Sequence, residues 1–97
     1  MSRLDPVIHA PARLQLCALL TPVDDAEFSF LRTQLDISDS VLSKHAKALE
    51  DAVYISILKK TLTSRQRTWL SLTPLGRQAF QAHVTELTRL ASIAAKT

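Results

Sequence analysis

The stretch from Ser38 to Leu72 changes its hydrophobic period partway along, and few folds accommodate that change in so short a span. Through SDSVLSKHAKALED, Leu42, His45, Ala46 and Leu49 fall on one side at about 100° per residue, while Ser40, Ser43, Lys44, Lys47 and Asp51 gather on the other. Ser38 is placed to cap this helix, and Asp39 lies in its first turn, where a negative charge complements the helix dipole. Beyond it the period becomes two. YISILKK and RTWLSL are β-branched and aromatic runs in which Ile55 alternates with Ser56, and Leu70 with Ser71, and they predict a two-stranded hairpin. The intervening TLTSRQ lacks the Asn-Gly or Gly-Gly of a tight turn, which predicts a longer, mobile connection.

Helical signals flank this core. Pro11 suits a first helical turn, and PARLQLCALL is apolar on most sides, as a central buried helix would be, with Pro6 starting a separate short turn before it. Thr21 to Asp25 break that helix; AEFSF then predicts a short strand, followed by a helix from about Ser29 to Leu35. Thr73 and Pro74 supply a cap and a first-turn proline for a last helix reaching nearly to Lys96. Its stripe of Phe80, His83, Val84, Leu87, Leu90, Ala91 and Ala94 keeps helical spacing. About 22 residues at 1.5 Å each give roughly 33 Å, as long as a small domain is wide. The stripe is therefore expected to bury its distal part against a second copy rather than on its own domain. Together these elements predict a mainly α fold with a small β-hairpin, one domain over 1–97.

Composition removes several function classes. Phosphate-cradling loops and dinucleotide fingerprints need several glycines, and this chain has one, Gly76. Its single cysteine, Cys17, cannot form an internal disulfide, so a reducing cytoplasm suits it. MSRLDPV lacks the apolar core of a signal peptide, and no apolar run approaches the roughly 18 residues of a membrane span. The net charge of +3 is mild, but its distribution is not: eight of the nine acidic residues lie at or before Asp51 and the ninth is Glu86. The carboxylate-free segment between them holds Lys59, Lys60, Arg65, Arg67 and Arg77, a one-signed region that attracts polyanions.

The order of helix, short strand, helix, turn, helix, hairpin and helix is that of a winged helix-turn-helix. The segments LDPVIHAPARLQLCALL, FSFLRTQLDISDSVLSKHAKALEDAVYI and RTWLSLTPLGRQAF resemble the one-domain winged-helix transcriptional regulators near the MarR and ArsR repressors, with LSKHAKALE and RTWLSLTPLGRQAF the most specific parts. The resemblance runs from about Leu4 to Leu90. It implies a homodimer that binds double-stranded DNA as a repressor, with the helix after Ser38 in the major groove and the wing on the backbone or minor groove. Carried onto this sequence, the base-reading residues are Ser38, Ser40, Ser43, Lys44 and Lys47, and the wing residues are Lys59, Lys60, Thr63, Ser64, Arg65 and Arg67. Elementary chemistry agrees: lysine can donate to guanine, serine can bond several bases or a phosphate, and wing cations can neutralise phosphates. Two positions depart from the pattern. Asp36 and Val53 stand where such proteins usually carry glycine, and a β-branched residue resists the left-handed conformation, so the helix is expected to end differently and alter its angle to the hairpin. Ala46 replaces a usual leucine, which implies lighter packing behind the helix.

Other chemistries fare worse. His9, His45, His83 and Cys17 are metal-ligand types, but no pair has the spacing of a local site, and His45 is expected to be a hydrogen-bonded packing residue. Arg13, one turn from Cys17, offers a route to a lowered thiol pKa and a redox sensor, against the plainer role of a small core hydrophobe. No nucleophile elbow or converging carboxylates point to an enzyme, and no pattern names a cofactor or a small-molecule effector. The alternative is a winged helix that binds another protein, which would expose apolar residues on the wing; Leu62 is the one obvious candidate.

Overall fold

A computed structural model describes residues 4–96; the outermost residues of the 1–97 assignment, 1–3 and 97, lie outside the described residues. The elements run α1 (Pro6–His9), α2 (Pro11–Leu20), β1 (Ala26–Glu27), α3 (Phe28–Leu35), α4 (Asp39–Asp51), β2 (Ile55–Leu62), β3 (Arg65–Leu72) and α5 (Pro74–Ala95). The strands form one antiparallel sheet in the order β1-β3-β2, with Ala26 opposite Leu70 and Ile55 opposite Leu72. One face of that sheet sends Ala26, Ile55, Leu70 and Leu72 into a core completed by Ile8, Leu16, Cys17, Leu20, Leu31, Leu42, Ala46 and Leu49. Helix α2 buries Leu16, Cys17 and Leu20 but leaves Pro11, Gln15 and Ala18 exposed, so the expected central buried helix is corrected to one packed along one side, and α4 likewise buries one side only, as its segregated pattern demands.

The hairpin is tighter than its sequence suggests. Pairing continues without a break to Leu62 opposite Arg65, leaving a two-residue turn of Thr63 and Ser64 with φ of 50° and 66°. Two left-handed residues give a turn whose twist matches the strands, and here ladder hydrogen bonds impose it on residues that do not favour it, at about 1–2 kcal/mol each. The expected long, mobile loop is thus corrected to a short turn at the tip of two eight-residue strands.

Val53 is a second correction. Its φ is 63°, so it adopts the left-handed conformation that glycine usually supplies. Helix α4 closes with Val53 N–H donating to Glu50 O at 2.9 Å and Tyr54 N–H donating to Leu49 O at 2.9 Å, a doubly bonded terminus that satisfies two late carbonyls. Asp36 ends α3 in the same manner at φ 53°, with Ile37 N–H reaching Arg32 O. Both helix ends therefore keep the geometry expected of glycine without the glycine.

The one glycine serves a different need. Thr73 caps α5 by accepting from Gly76 N–H at 2.9 Å, and its own N–H donates to Tyr54 O at 3.0 Å. A β-carbon at Gly76 would sit 1.9 Å from that same Tyr54 oxygen. The start of α5 is thereby pressed against the end of α4. From Thr88 to Lys96 every residue of the chain is exposed, so the last turns of α5 stand clear of the core, and the molecule measures 57 × 26 × 21 Å.

Candidate nucleic-acid interface

Helix α4 is rooted by Leu42, Ala46 and Leu49 and presents its other side outward. Ser38 caps it, accepting from Val41 N–H at 3.2 Å, and its hydroxyl lies 3.2 Å from that of Ser40. Ser40, Ser43, Lys44 and Lys47 are exposed along the same side. Lys47 is not a free cation: Asp51 accepts from it at 3.0 Å, Glu50 lies 3.9 Å away as a second anionic neighbour, and the Asp51 carboxylate raises its pKa. Lys44 has no ion pair among the described residues.

The register splits the wing cations between two faces. Lys59 lies opposite Thr68 and looks toward α4, where it shares with Ser43, Lys47 and Asp39 a groove of about 370 Å³ floored by Ala46, Ile57 and Leu70. Buried Ala46 thus sits at the bottom of an opening that a larger side chain would fill, in line with lighter packing there. Lys60 and Arg67 lie opposite each other on the far face, with the Lys60 ammonium 5.5 Å from the centre of the Trp69 ring. Arg67 is also engaged, donating to both oxygens of Glu27 at 3.0 and 3.1 Å. Arg77 donates to Thr21 O and Val23 O, pinning the loop before β1 to α5. Thr63, Ser64 and Arg65 stand exposed at the tip. Of the cations counted in the carboxylate-free segment, Lys59 and Arg65 remain unpaired among the described residues.

Three features escaped the sequence reading. Val41, 40% exposed, flanks the serine and lysine face, at a position the helical wheel places beside Lys44. Arg32 of α3 bonds Asp39 at 3.1 Å, a pairing across the turn that no spacing rule shows. Leu58 joins Leu62 as an exposed apolar residue on the wing, at 52% and 49%, so Leu62 does not stand alone there.

The proposed dimer stripe divides. Val84, Leu90, Ala91 and Ala94 are exposed, joined by Ile93, while Phe80 and Leu87 are half-buried. His83 points inward instead: it is 1% exposed within its own chain, so it offers no surface to a mate. Cys17 is fully buried, and burial, then the Asp5 carboxylate, push its thiol up to about 11. Arg13 turns away from it to Val7 O and to His45 Nδ1 at 3.3 Å, which removes the basis for a reactive thiol and makes His45 the hydrogen-bonded packing residue expected. Burial, followed by Arg13 and Lys44, lowers the His45 pKa. No group of three metal-ligand side chains forms among the described residues, and no helix there is long and apolar enough to cross a membrane.

Comparison with known proteins agrees with this geometry. An uncharacterised protein of Methanocaldococcus jannaschii is 29% identical over 84 residues, 87% of this chain and 91% of its own. Among solved structures, a transcriptional regulator homologue from Pyrococcus horikoshii superposes with a TM-score of 0.83 at 24% identity, covering 89% of this chain and 85% of that one. The zinc-responsive MarR family member ZitR of Lactococcus lactis gives 0.67 at 20% identity, over 95% and 62% of the two chains. The model of the winged helix DNA-binding domain matches residues 12–91, and the chain belongs to that family.

Proposed function

We propose that the protein is a sequence-specific double-stranded DNA-binding transcriptional regulator, a repressor acting as a homodimer. Helix α4 enters the major groove, with Ser40, Ser43 and Lys44 at base edges and Val41 at hand for a thymine methyl. The hairpin follows the backbone or minor groove, with Arg65 and Lys59 neutralising phosphates. The exposed apolar end of α5 takes the second copy. The observation that carries this reading is the outward face of α4: small hydroxyls and lysines on a well-rooted, capped helix beside a groove that Lys59 shares.

Fluorescence anisotropy with random duplex DNA at two salt concentrations tests it. Binding that weakens steeply with salt is expected, and no binding at low salt would defeat the proposal. Arg65→Ala removes one phosphate contact from each protomer and is expected to flatten the salt slope of the homodimer by about 1.8 and to weaken all sequences alike. Arg67→Ala is expected to do less, because Glu27 already engages that guanidinium. Lys44→Ala, by contrast, should alter which sequences are selected from a random pool. Leu90→Lys is expected to yield monomers in sedimentation. The exposed Leu58 and Leu62 favour a second reading, a surface for another protein. Leu58→Ser would then abolish partner capture, whereas the DNA-binding role leaves duplex affinity unchanged in that variant.

A further inference from the structure

His83 sits midway along α5 and is buried, yet it is an ionisable ring. Its Nδ1 accepts the backbone N–H of Asp5 at 3.0 Å. An accepting Nδ1 leaves the ring proton on Nε2, which lies 3.3 Å from His9 Nδ1, so that nitrogen accepts in turn. The two rings are tilted at 54° with centroids 5.3 Å apart. Both bonds exist together only while both imidazoles are neutral. A proton on His83 Nδ1 would face an N–H donor, and a proton on His9 Nδ1 would face the Nε2–H of its neighbour.

We infer that this junction between α1 and α5 is a proton-sensitive latch, closed at neutral pH and opened in mild acid, whose release loosens the support of α4. Asp5 is its hub. Its carboxylate caps α1 by accepting from Val7 N–H at 2.9 Å, and its other oxygen accepts from the Tyr54 hydroxyl, at the end of α4. Helix α1 is tied to α4 a second time, because Arg13 bridges Val7 O and His45 Nδ1. Releasing α1 from His83 therefore slackens a connection that runs from α5 to the helix proposed to read DNA. Among the described residues, the ionisable groups also close by include the neutral Cys17 thiol on α2, His45 at the α4 end of the Arg13 bridge and, one turn along α5, Glu86, which is paired with Arg89. Burial first, then His9, lower the proton affinity of His83, against an opposing pull from Asp5. With a folded pKa below the unfolded one of about 6.5, its stabilising contribution is complete above that pH and is lost as pH falls through the folded value.

The latch itself can be tested without DNA; only its consequence for binding rests on the proposed function. Thermal melts of the full chain at fixed concentration are compared at about pH 7.5 and about pH 5.5. The wild type is expected to lose about 4–8 °C in acid, the size of one lost contact in a domain this small. His83→Gln can still accept from Asp5 N–H but cannot titrate, and it is expected to lose less than half as much. No loss in the wild type, or an equal loss in the variant, overturns the latch. Should that variant not fold, NMR titration of the wild-type imidazoles decides: a His83 that protonates below the ordinary histidine range supports the latch, and one at or above it refutes it. In the DNA arm, binding is expected to weaken about fivefold or more at the lower pH. Added imidazolium charge alone would tighten it, so tighter binding in acid refutes the link to α4. A chain that binds no duplex at neutral pH defeats the DNA-binding role, and the melts still decide the latch.

Discussion

Gly76→Ala sets two effects of opposite sign against each other. In an exposed helix interior the change stabilises by about 0.8–1.0 kcal/mol, because alanine loses less backbone freedom on folding. Gly76 is buried, however, and the new methyl would lie 1.9 Å from Tyr54 O and 2.8 Å from its carbonyl carbon, inside any van der Waals contact. The obstacle is backbone, so α5 must back away from the end of α4. That movement strains the Thr73 cap to Gly76 N–H, worth about 1 kcal/mol, and the Thr73 N–H bond to Tyr54 O, worth about 1 kcal/mol. Overpacking adds about 1–3 kcal/mol. After subtracting the propensity gain, a loss of about 2–4 kcal/mol is expected, or roughly 10–25 °C in melting temperature for a domain of this size. Urea unfolding followed by circular dichroism measures it directly. A variant as stable as the wild type, or more stable, would refute the close approach and leave propensity alone in control.

Three further outcomes follow from the same geometry. Val53→Gly relieves a left-handed valine that is 61% exposed and is expected to raise the urea midpoint, corresponding to about 0.5–1 kcal/mol; a lowered midpoint would show that the valine is not strained. Tyr54, the only tyrosine, is pushed up to about 12, first by its hydrogen bond to Asp5 and then by burial, so phenolate absorbance should appear well above the ordinary range of about 10. Its raised pKa means that the bond stabilises fully below that ordinary value and is lost as pH climbs through the folded one, and Tyr54→Phe should cost about 1.5–3 kcal/mol at neutral pH. Cys17 should ignore a thiol reagent at about pH 8 in the native protein and react at once in denaturant, whereas fast native labelling would mean that α2 opens.

Much of this molecule was legible in its residues. The change of period at the end of α4 marks the helix and the hairpin, Ser38 and Thr73 mark two helix starts with their caps, and the segregated faces of α4 place Leu42, Ala46 and Leu49 inside and the serines and lysines outside. These features depend on near neighbours, whose spacing along the chain is their spacing in space. What sequence could not convey depends on partners far apart in the chain. Thr63, Ser64 and Val53 take left-handed conformations because ladder pairing and helix-end bonds outweigh their local preference, which overturned the expected long wing loop and altered helix end. Along the chain Arg67 reads as a free cation, yet Glu27, forty residues away, engages it, and His83 reads as part of an outward stripe, yet it is buried against Asp5 and His9. Local pattern by itself determined the elements, their faces and the kind of fold. Tertiary contact decided which cations stay free, which histidine is buried and why the single glycine must be a glycine, because charge, burial and clearance belong to pairs of residues that only folding brings together.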